Sequence, residues 1–331
     1  MSNKVSRSSA LKSPILVSVT RLIRANPVMW AIIVMIIIFS AIEGDAFLST
    51  RNFISILRGF AVTLALALGP TFVILTGRLD ISFVGIWMFG NTLAWLLFPH
   101  MGYYSLLICP IFGTFIGFLN GIIHAKLKTP AFISTLAMTA VLGYLTTIIR
   151  NWLGVISLTV PPPEFAQNWP IPYLPLPFLL ALPTIILALY IMFFTKLGTY
   201  FCAIGSDEEA VTHMGVNRDK YLILAFTVSG MLTGLGSIAI FVHLGWQAKV
   251  LFDLDDVVRG LAAIVLGGTP LSGGMGGPHR TLLGALAYVL IFNGLFLLPG
   301  IDPNQLKLYI GALLFVAVIA ASKSLKGVIM T

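Results

Sequence analysis

The sequence predicts an all-α membrane protein: a polytopic transmembrane helical bundle of about ten segments, some short or broken, with both termini in the cytoplasm. Three observations predict it. The 331 residues are 58% hydrophobic and only 10% charged, with a mean hydropathy of +0.97; a soluble domain carries roughly 25% charged residues to face water. Apolar runs of the roughly 17–25 residues that cross a hydrocarbon core recur along the chain. Runs such as 30–39 and 282–298 do not alternate polar and apolar positions as barrel strands must, so the spans are helices.

Each element follows from hydropathy and the placement of basic residues. Lys4, Arg7, Lys12, Arg21 and Arg24 precede the first apolar run, which marks residues 1–27 as a cytoplasmic segment. That long basic region, with no small-residue cleavage site after it, argues against a secretory signal peptide. The first crossing, 28–42, ends at Glu43 and Asp45; the second, 53–76, returns. A short third, 81–98, goes out, and a fourth, 105–124, comes back to Lys126 and Lys128. The fifth, 132–149, reaches an outer loop rich in proline and aromatics, and the sixth, 176–194, returns to a polar cytoplasmic loop, 196–220. The seventh, 221–242, is followed by Asp253, Asp255 and Asp256 outside. The eighth, 257–266, is short, continues as irregular backbone through 267–277, and either crosses or re-enters. The ninth, 282–298, and tenth, 306–321, complete a membrane domain over 28–322 and leave a cytoplasmic tail, 323–331, with Lys323 and Lys326 inside. Trp152, Trp169, Tyr173 and Trp246 fall at the outer interface, where amphipathic rings belong.

The net charge of +8 does not indicate nucleic acid, because the basic residues gather in the cytoplasmic segments. No G-x-x-x-x-G-K-[ST] phosphate loop occurs, so ATP is not bound through that motif. Cys109 in an apolar run and Cys202 in a cytoplasmic loop do not make a structural disulfide.

The polar interruptions carry the functional signal. LTGRLDIS (75–82) and AAIVLGGTPLSGGMGG (262–277) break the helical pattern at membrane depth, which is tolerated where backbone is buried in protein or lines a wet cavity. Both contain Gly-x-x-x-[Ile/Leu]-Ser, at 77–82 and 267–272. That is either the trace of a parallel repeat or glycine serving close helix packing. Arg78 and Asp80 form a structural ion pair, lie in a cytoplasmic turn, or contact the solute. Asn91, Asn120 and Asn293 either bond between helices, worth about 1 kcal/mol each, or touch the solute. His124 and His279 lack partners at metal-ligand spacing. In the 196–220 loop, Asp207, Glu208 and Glu209 before Ala210 read as a helix N-terminus, and Gly215 as its stop. Such a short polar helix is a connector or a docking element.

An acidic residue and alanine followed by glycine, here Glu209, Ala210 and Gly215, resembles the coupling helix of ABC importer permeases. The stretches VILTGRLDIS (73–82), NGIIHAKLKTPAFISTL (120–136), TKLGTYFCAIGSDEEAVTHMGVN (195–217), AAIVLGGTPLSGGMG (262–276) and NGLFLLPGI (293–301) resemble the branched-chain amino acid and monosaccharide permeases, ribose type in particular. The resemblance implies an inner-membrane permease subunit for a small polar solute such as a monosaccharide. It implies a second permease subunit, identical or paralogous, two cytoplasmic ATPase subunits that bind the ATP, and an extracytoplasmic solute-binding protein. The chain itself would be no enzyme and hold no cofactor. Asp207, Glu208, Glu209, Ala210 and Gly215 would couple to the ATPase, and Arg78, Asp80, Asn91, Asn120, Phe132 and Asn293 would line the path. Gly267, Gly268, Thr269, Gly273, Gly274 and Gly276 would form the family's glycine-rich element. The competing class is an ion- or proton-coupled secondary transporter, which needs buried carboxylates; Asp80 is the single candidate.

The chain departs from the family pattern in four places. Arg78 and Val84 stand where the family commonly has glycine, Arg259 where it has an acidic residue, and Arg280 where the pattern closes with Gly-Thr. Three of these insert a guanidinium, whose fork matches carboxylates and phosphates. They suggest a divergent subunit, either half of a heteromeric pair or a transporter of an anionic or unusual polyol solute.

Overall fold

The computed structural model describes residues 27–315 except 168, 301, 303, 304, 307, 313 and 314. The basic N-terminal segment, the tail and most of the tenth crossing lie outside the described residues, although 305, 306 and 308–312 are helical. The first five long helices are α1 (Pro27–Phe47), α2 (Thr50–Leu75), α3 (Phe83–Met101), α4 (Ile108–Leu127) and α5 (Ala131–Trp152). A short α6 (Glu164–Gln167) precedes α7 (Leu176–Phe194); α8 (Lys196–Ser206) and α9 (Glu208–His213) form the polar loop. Then come α10 (Arg218–His243), α11 (Leu254–Leu266) and α12 (Pro278–Leu297). Among the described residues, seven continuous stretches are long and apolar enough to span a membrane, and one of them, Phe83–Leu127, is the 45-residue pair α3–α4. That pair folds back on itself: Ser82 meets Asn120 and Gly90 meets Cys109.

The all-α expectation needs one small correction. A two-stranded antiparallel ribbon joins β1 (Leu158–Thr159) to β2 (Gln247–Ala248). Buried Leu158 and Ala248 there close over an aromatic cluster with Phe241 and Trp246. Trp246 is therefore 8% exposed, whereas Trp152 is 83% exposed.

Helices α2 and α10 form the centre. Every residue of α2 from 61 to 75 is buried, as a helix apolar on all sides should be. Glycines set the spacing. A Cβ added at Gly113, Gly117 or Gly121 of α4 would strike the backbone of α10 near Gly230, Phe226 and Ile223, and one at Gly69 of α2 would strike Ser229. Small residues let the axes approach where lipid supplies no hydrophobic drive between helices. The contact pairs run in opposite order along α2 and α10, along α4 and α10, and along α11 and α12, so these partners are antiparallel. The bundle thus has two ends, one bearing α8 and α9 and the other bearing the ribbon.

The first break starts at the α9 end and runs inward: Gly77 lies on Gly273, whereas Asp80 bonds to Ser229, near the middle of the 26-residue α10. The eighth segment becomes the 13-residue α11. Because α10 ends near the ribbon and α12 starts near α8, the chain from 244 to 277 traverses the bundle, partly as irregular backbone.

Candidate functional site

The α9 end is built on helix caps. Thr195 Oγ1 accepts from Leu197 N at 3.2 Å to start α8, and Asp207 Oδ1 accepts from Ala210 N at 2.9 Å to start α9. Each side chain satisfies a backbone donor that has no carbonyl partner within its helix. Gly215 ends the turn at φ 79°, in the left-handed region, and Asn217 Oδ1 caps α10 through Lys220 N at 3.0 Å. The sequence-predicted start and stop are thus where the backbone places them. Buried Val211 packs on Ala125, Ile204 and Leu222, so α9 turns Glu209, Ala210 and Met214 to the outside. Met214 is 72% exposed, and no sequence signal had singled it out.

Glu208 ties α9 to the bundle. Its carboxylate meets Arg78 Nη2 at 2.5 Å and Arg218 Nη1 at 2.6 Å. Arg78 Nε also donates to His124 Nε2 at 3.1 Å, while the other ring nitrogen of His124 lies 2.7 Å from the Thr129 carbonyl. Those partners fix the neutral tautomer with the proton on Nδ1. Arg78 therefore pairs with Glu208, 130 positions away, and Asp80, its neighbour in sequence, faces elsewhere.

Asp80 is 1% exposed and accepts from three neutral donors: Ser82 N at 2.8 Å, Ser82 Oγ at 2.6 Å and Ser229 Oγ at 2.8 Å. Asn120 Nδ2 donates to Ser82 Oγ at 2.8 Å, so the network joins α4, the 76–82 segment and α10. Asn91 is also buried; its Nδ2 donates to the Ser237 carbonyl at 3.2 Å and its Oδ1 accepts from Cys109 Sγ at 3.5 Å. Phe132 is 46% exposed at the start of α5. Asn293 lines a cavity at the ribbon end.

The glycine-rich element meets the first break. Gly274 N donates to the Leu75 carbonyl at 3.0 Å, and Ser206 Oγ donates to the Gly274 carbonyl at 3.2 Å. Gly273 lies on Gly77, and Gly205 of α8 lies on both Leu75 and Gly274, with no room for a Cβ. Gly77, Gly268, Gly273, Gly274 and Gly276 have φ between 74° and 113°, where a side chain would strain the backbone. Gly267 keeps a helical φ of −67° and instead faces the Arg280 carbonyl. Thr269 is buried and its Oγ1 accepts from Gly277 N at 3.2 Å. Arg280 Nη1 donates to the Gly268 carbonyl at 3.0 Å.

The chain is similar to known permeases along most of its length. It is 31% identical to a ribose import permease protein of Haemophilus influenzae over 277 residues, covering 81% of this chain and 84% of the relative. It is 29% identical to the ribose import permease protein of Escherichia coli K12, covering 88% and 92%, and 28% identical to a fructose import permease protein of Rhizobium meliloti, covering 87% and 82%. No solved structure matches it. The model of the branched-chain amino acid transport system permease component matches residues 52–319, from the first turn of α2 past the end of α12, and the chain belongs to that family.

Proposed function

We propose that this chain is the multi-pass permease subunit of an ATP-driven importer in a bacterial inner membrane, and that its solute is of the monosaccharide type. The single observation that carries the reading is a short, capped helix held out from the bundle by Glu208 and Val211 with Glu209, Ala210 and Met214 free to dock. The similarity to ribose and fructose import permeases supports it independently. In this reading α9 receives a cytoplasmic ATPase, which binds and hydrolyses the ATP. Two such subunits serve a pair of permeases, identical or paralogous, and a binding protein delivers solute at the ribbon end. Residues 1–27 and 323–331 then lie in the cytoplasm and the chain crosses ten times within 28–322, with 196–220 as the coupling loop.

Transport follows from two-state access. ATPase closure moves α9; Glu208 passes the motion to Arg78 and the 76–82 segment, and α8 passes it through Gly205 to the glycine-rich element. Asp80, Asn91 and Asn120 hold α3, α4 and α10 in register along the path, while Asn293 faces the solute. Co-purification from membranes tests the reading. An ATP-binding subunit should accompany the wild type and be lost on exchanging Glu209→Ala together with Gly215→Val. Uptake that proceeds at full rate with no ATPase present would overturn it.

A further inference from the structure

The ribbon end holds a cavity of about 730 Å³ lined by Arg51, Ser55 and Arg58 of α2, His243 of α10, Arg259 of α11 and Asn293 of α12. From it we infer that the solute is acidic: the cavity is a subsite for the carboxylate or phosphate of a polyhydroxylated molecule, held by Arg58 and Arg259. This rests on the importer reading and adds to it the class of substrate.

Among the described residues the lining holds three guanidiniums and an imidazole and no carboxylate. Among the described residues the ion pairs belong to Arg78, Lys126, Arg218 and Lys249, and none to Arg51, Arg58 or Arg259. The nearby Asp256 is taken up by Lys249 at 2.6 Å. Arg51, Ser55 and Arg58 recur at helical spacing on one face of α2 and are exposed. Arg58 lies seven residues beyond Arg51, about 10 Å further along the helix. A guanidinium at that depth is costly against lipid and is expected to line water or meet an anion.

Arg259 is set in place from behind. Its Nε donates to Thr63 Oγ1 at 2.7 Å and its Nη2 to the Gly59 carbonyl at 2.8 Å, and its guanidinium carbon lies 5.8 Å from the centre of the Tyr288 ring. All three are neutral, so they orient the charge without cancelling it, and the Nη1 hydrogens take no partner among the described residues. Such a preorganised fork suits bidentate binding of a planar carboxylate or a phosphate. Beside it, Ser55 Oγ donates to Asn293 Oδ1 at 2.9 Å, giving the wall a hydroxyl and an amide for neutral oxygens. The volume falls among small-molecule sites of roughly 300–1,000 Å³. The other two arginines that depart from the family pattern are engaged at the opposite end, by Glu208 and by the Gly268 carbonyl.

Thermal unfolding of the full-length permease in phosphatidylcholine nanodiscs, titrated with matched pairs of probes, tests this. D-Galacturonate and D-ribose 5-phosphate should raise the midpoint at concentrations where D-galactose and D-ribose do not. Arg259→Gln and Arg58→Gln should each raise the half-saturating concentration by about tenfold or more, as loss of a charged hydrogen bond implies. Arg58 is exposed and makes no ion pair, so R58Q reports on binding even where R259Q fails to fold. An equal response to acidic and neutral probes, or an unchanged response in R58Q, would overturn the inference. So would stabilisation by phosphatidylglycerol, dependent on Arg58, with no response to the soluble acids, because the site would then hold a lipid headgroup. In the assembled transporter, ATP-driven uptake of neutral sugars alone keeps the importer and removes the acidic solute. An acid-selective midpoint shift with no ATP-driven uptake does the reverse.

Discussion

At Glu208 two guanidiniums converge on one carboxylate, and all three groups are about one-third exposed or less. Pairs of this kind contribute little to stability, roughly 0.2–1 kcal/mol each. Their value lies in where they connect: one arm reaches the 76–82 segment and the other the first residue of α10. Arg78→Gly should therefore leave the fold almost unchanged while lowering the number of solute molecules moved per ATP hydrolysed. Parallel uptake and hydrolysis measurements in proteoliposomes read this directly, and an unchanged ratio would contradict it. Asp80 predicts the opposite balance. Ser229→Ala deprives the buried Asp80 side chain of one of its three donors, and a buried acceptor left without a partner costs about 1–3 kcal/mol. The variant should unfold at a lower temperature by a corresponding amount, with any transport defect tracking the amount of folded protein. The sequence made both residues conspicuous as charges in an apolar chain. It did not pair them with Glu208 and Ser229, because Glu208 lies 130 positions from Arg78 and Ser229, the distant one of the two residues that donate to Asp80, lies 149 away. Adjacency in sequence suggested an ion pair between 78 and 80 that the fold does not make.

Among the elements, the contact between α4 and α10 depends on bare backbone. Gly113 and Gly230 face each other, and each would drive a Cβ into the other's carbonyl. Gly230→Ala should destabilise the protein by roughly 1–3 kcal/mol, the usual cost of overpacking. Gly143→Ala, where nothing lies within 4 Å of the added carbon, should be neutral or stabilising by roughly 0.5–1 kcal/mol from helix propensity. Thermal denaturation of the two variants side by side checks the difference, and equal midpoints would refute the packing account. Element positions were legible because a membrane helix needs a long apolar run; α7 spans the same residues, 176–194, in sequence and structure. The ribbon and the length of α11 were not. Two-residue strands leave no periodic signature, and the preference of an acidic stretch for a helix N-terminus begins α11 at Leu254, three residues before hydropathy does.

The whole molecule is a polarised object. Ile156, 95% exposed, lies near the ribbon, and Met214, 72% exposed, lies beside α9. In a variant with Cys109 and Cys202 replaced by serine, a membrane-impermeant maleimide should label Ile156→Cys only from outside. It should label Met214→Cys only in inside-out vesicles. Labelling of both from one side would break the proposed topology. The proposed polarity rests on charge placement, through the bias of basic residues toward one side. What the sequence left hidden is that its two irregular segments belong to one junction. Leu75, Gly77, Gly205, Gly273 and Gly274 meet there main chain to main chain. Side chains absorb small displacements by changing rotamer, and at this junction the contacts of Gly205 with Leu75 and Gly274, and of Gly273 with Gly77, run through backbone atoms instead. It is a joint without backlash: a shift of α8 by a fraction of an ångström has no slack to take up and arrives at α2 and α12 undiminished.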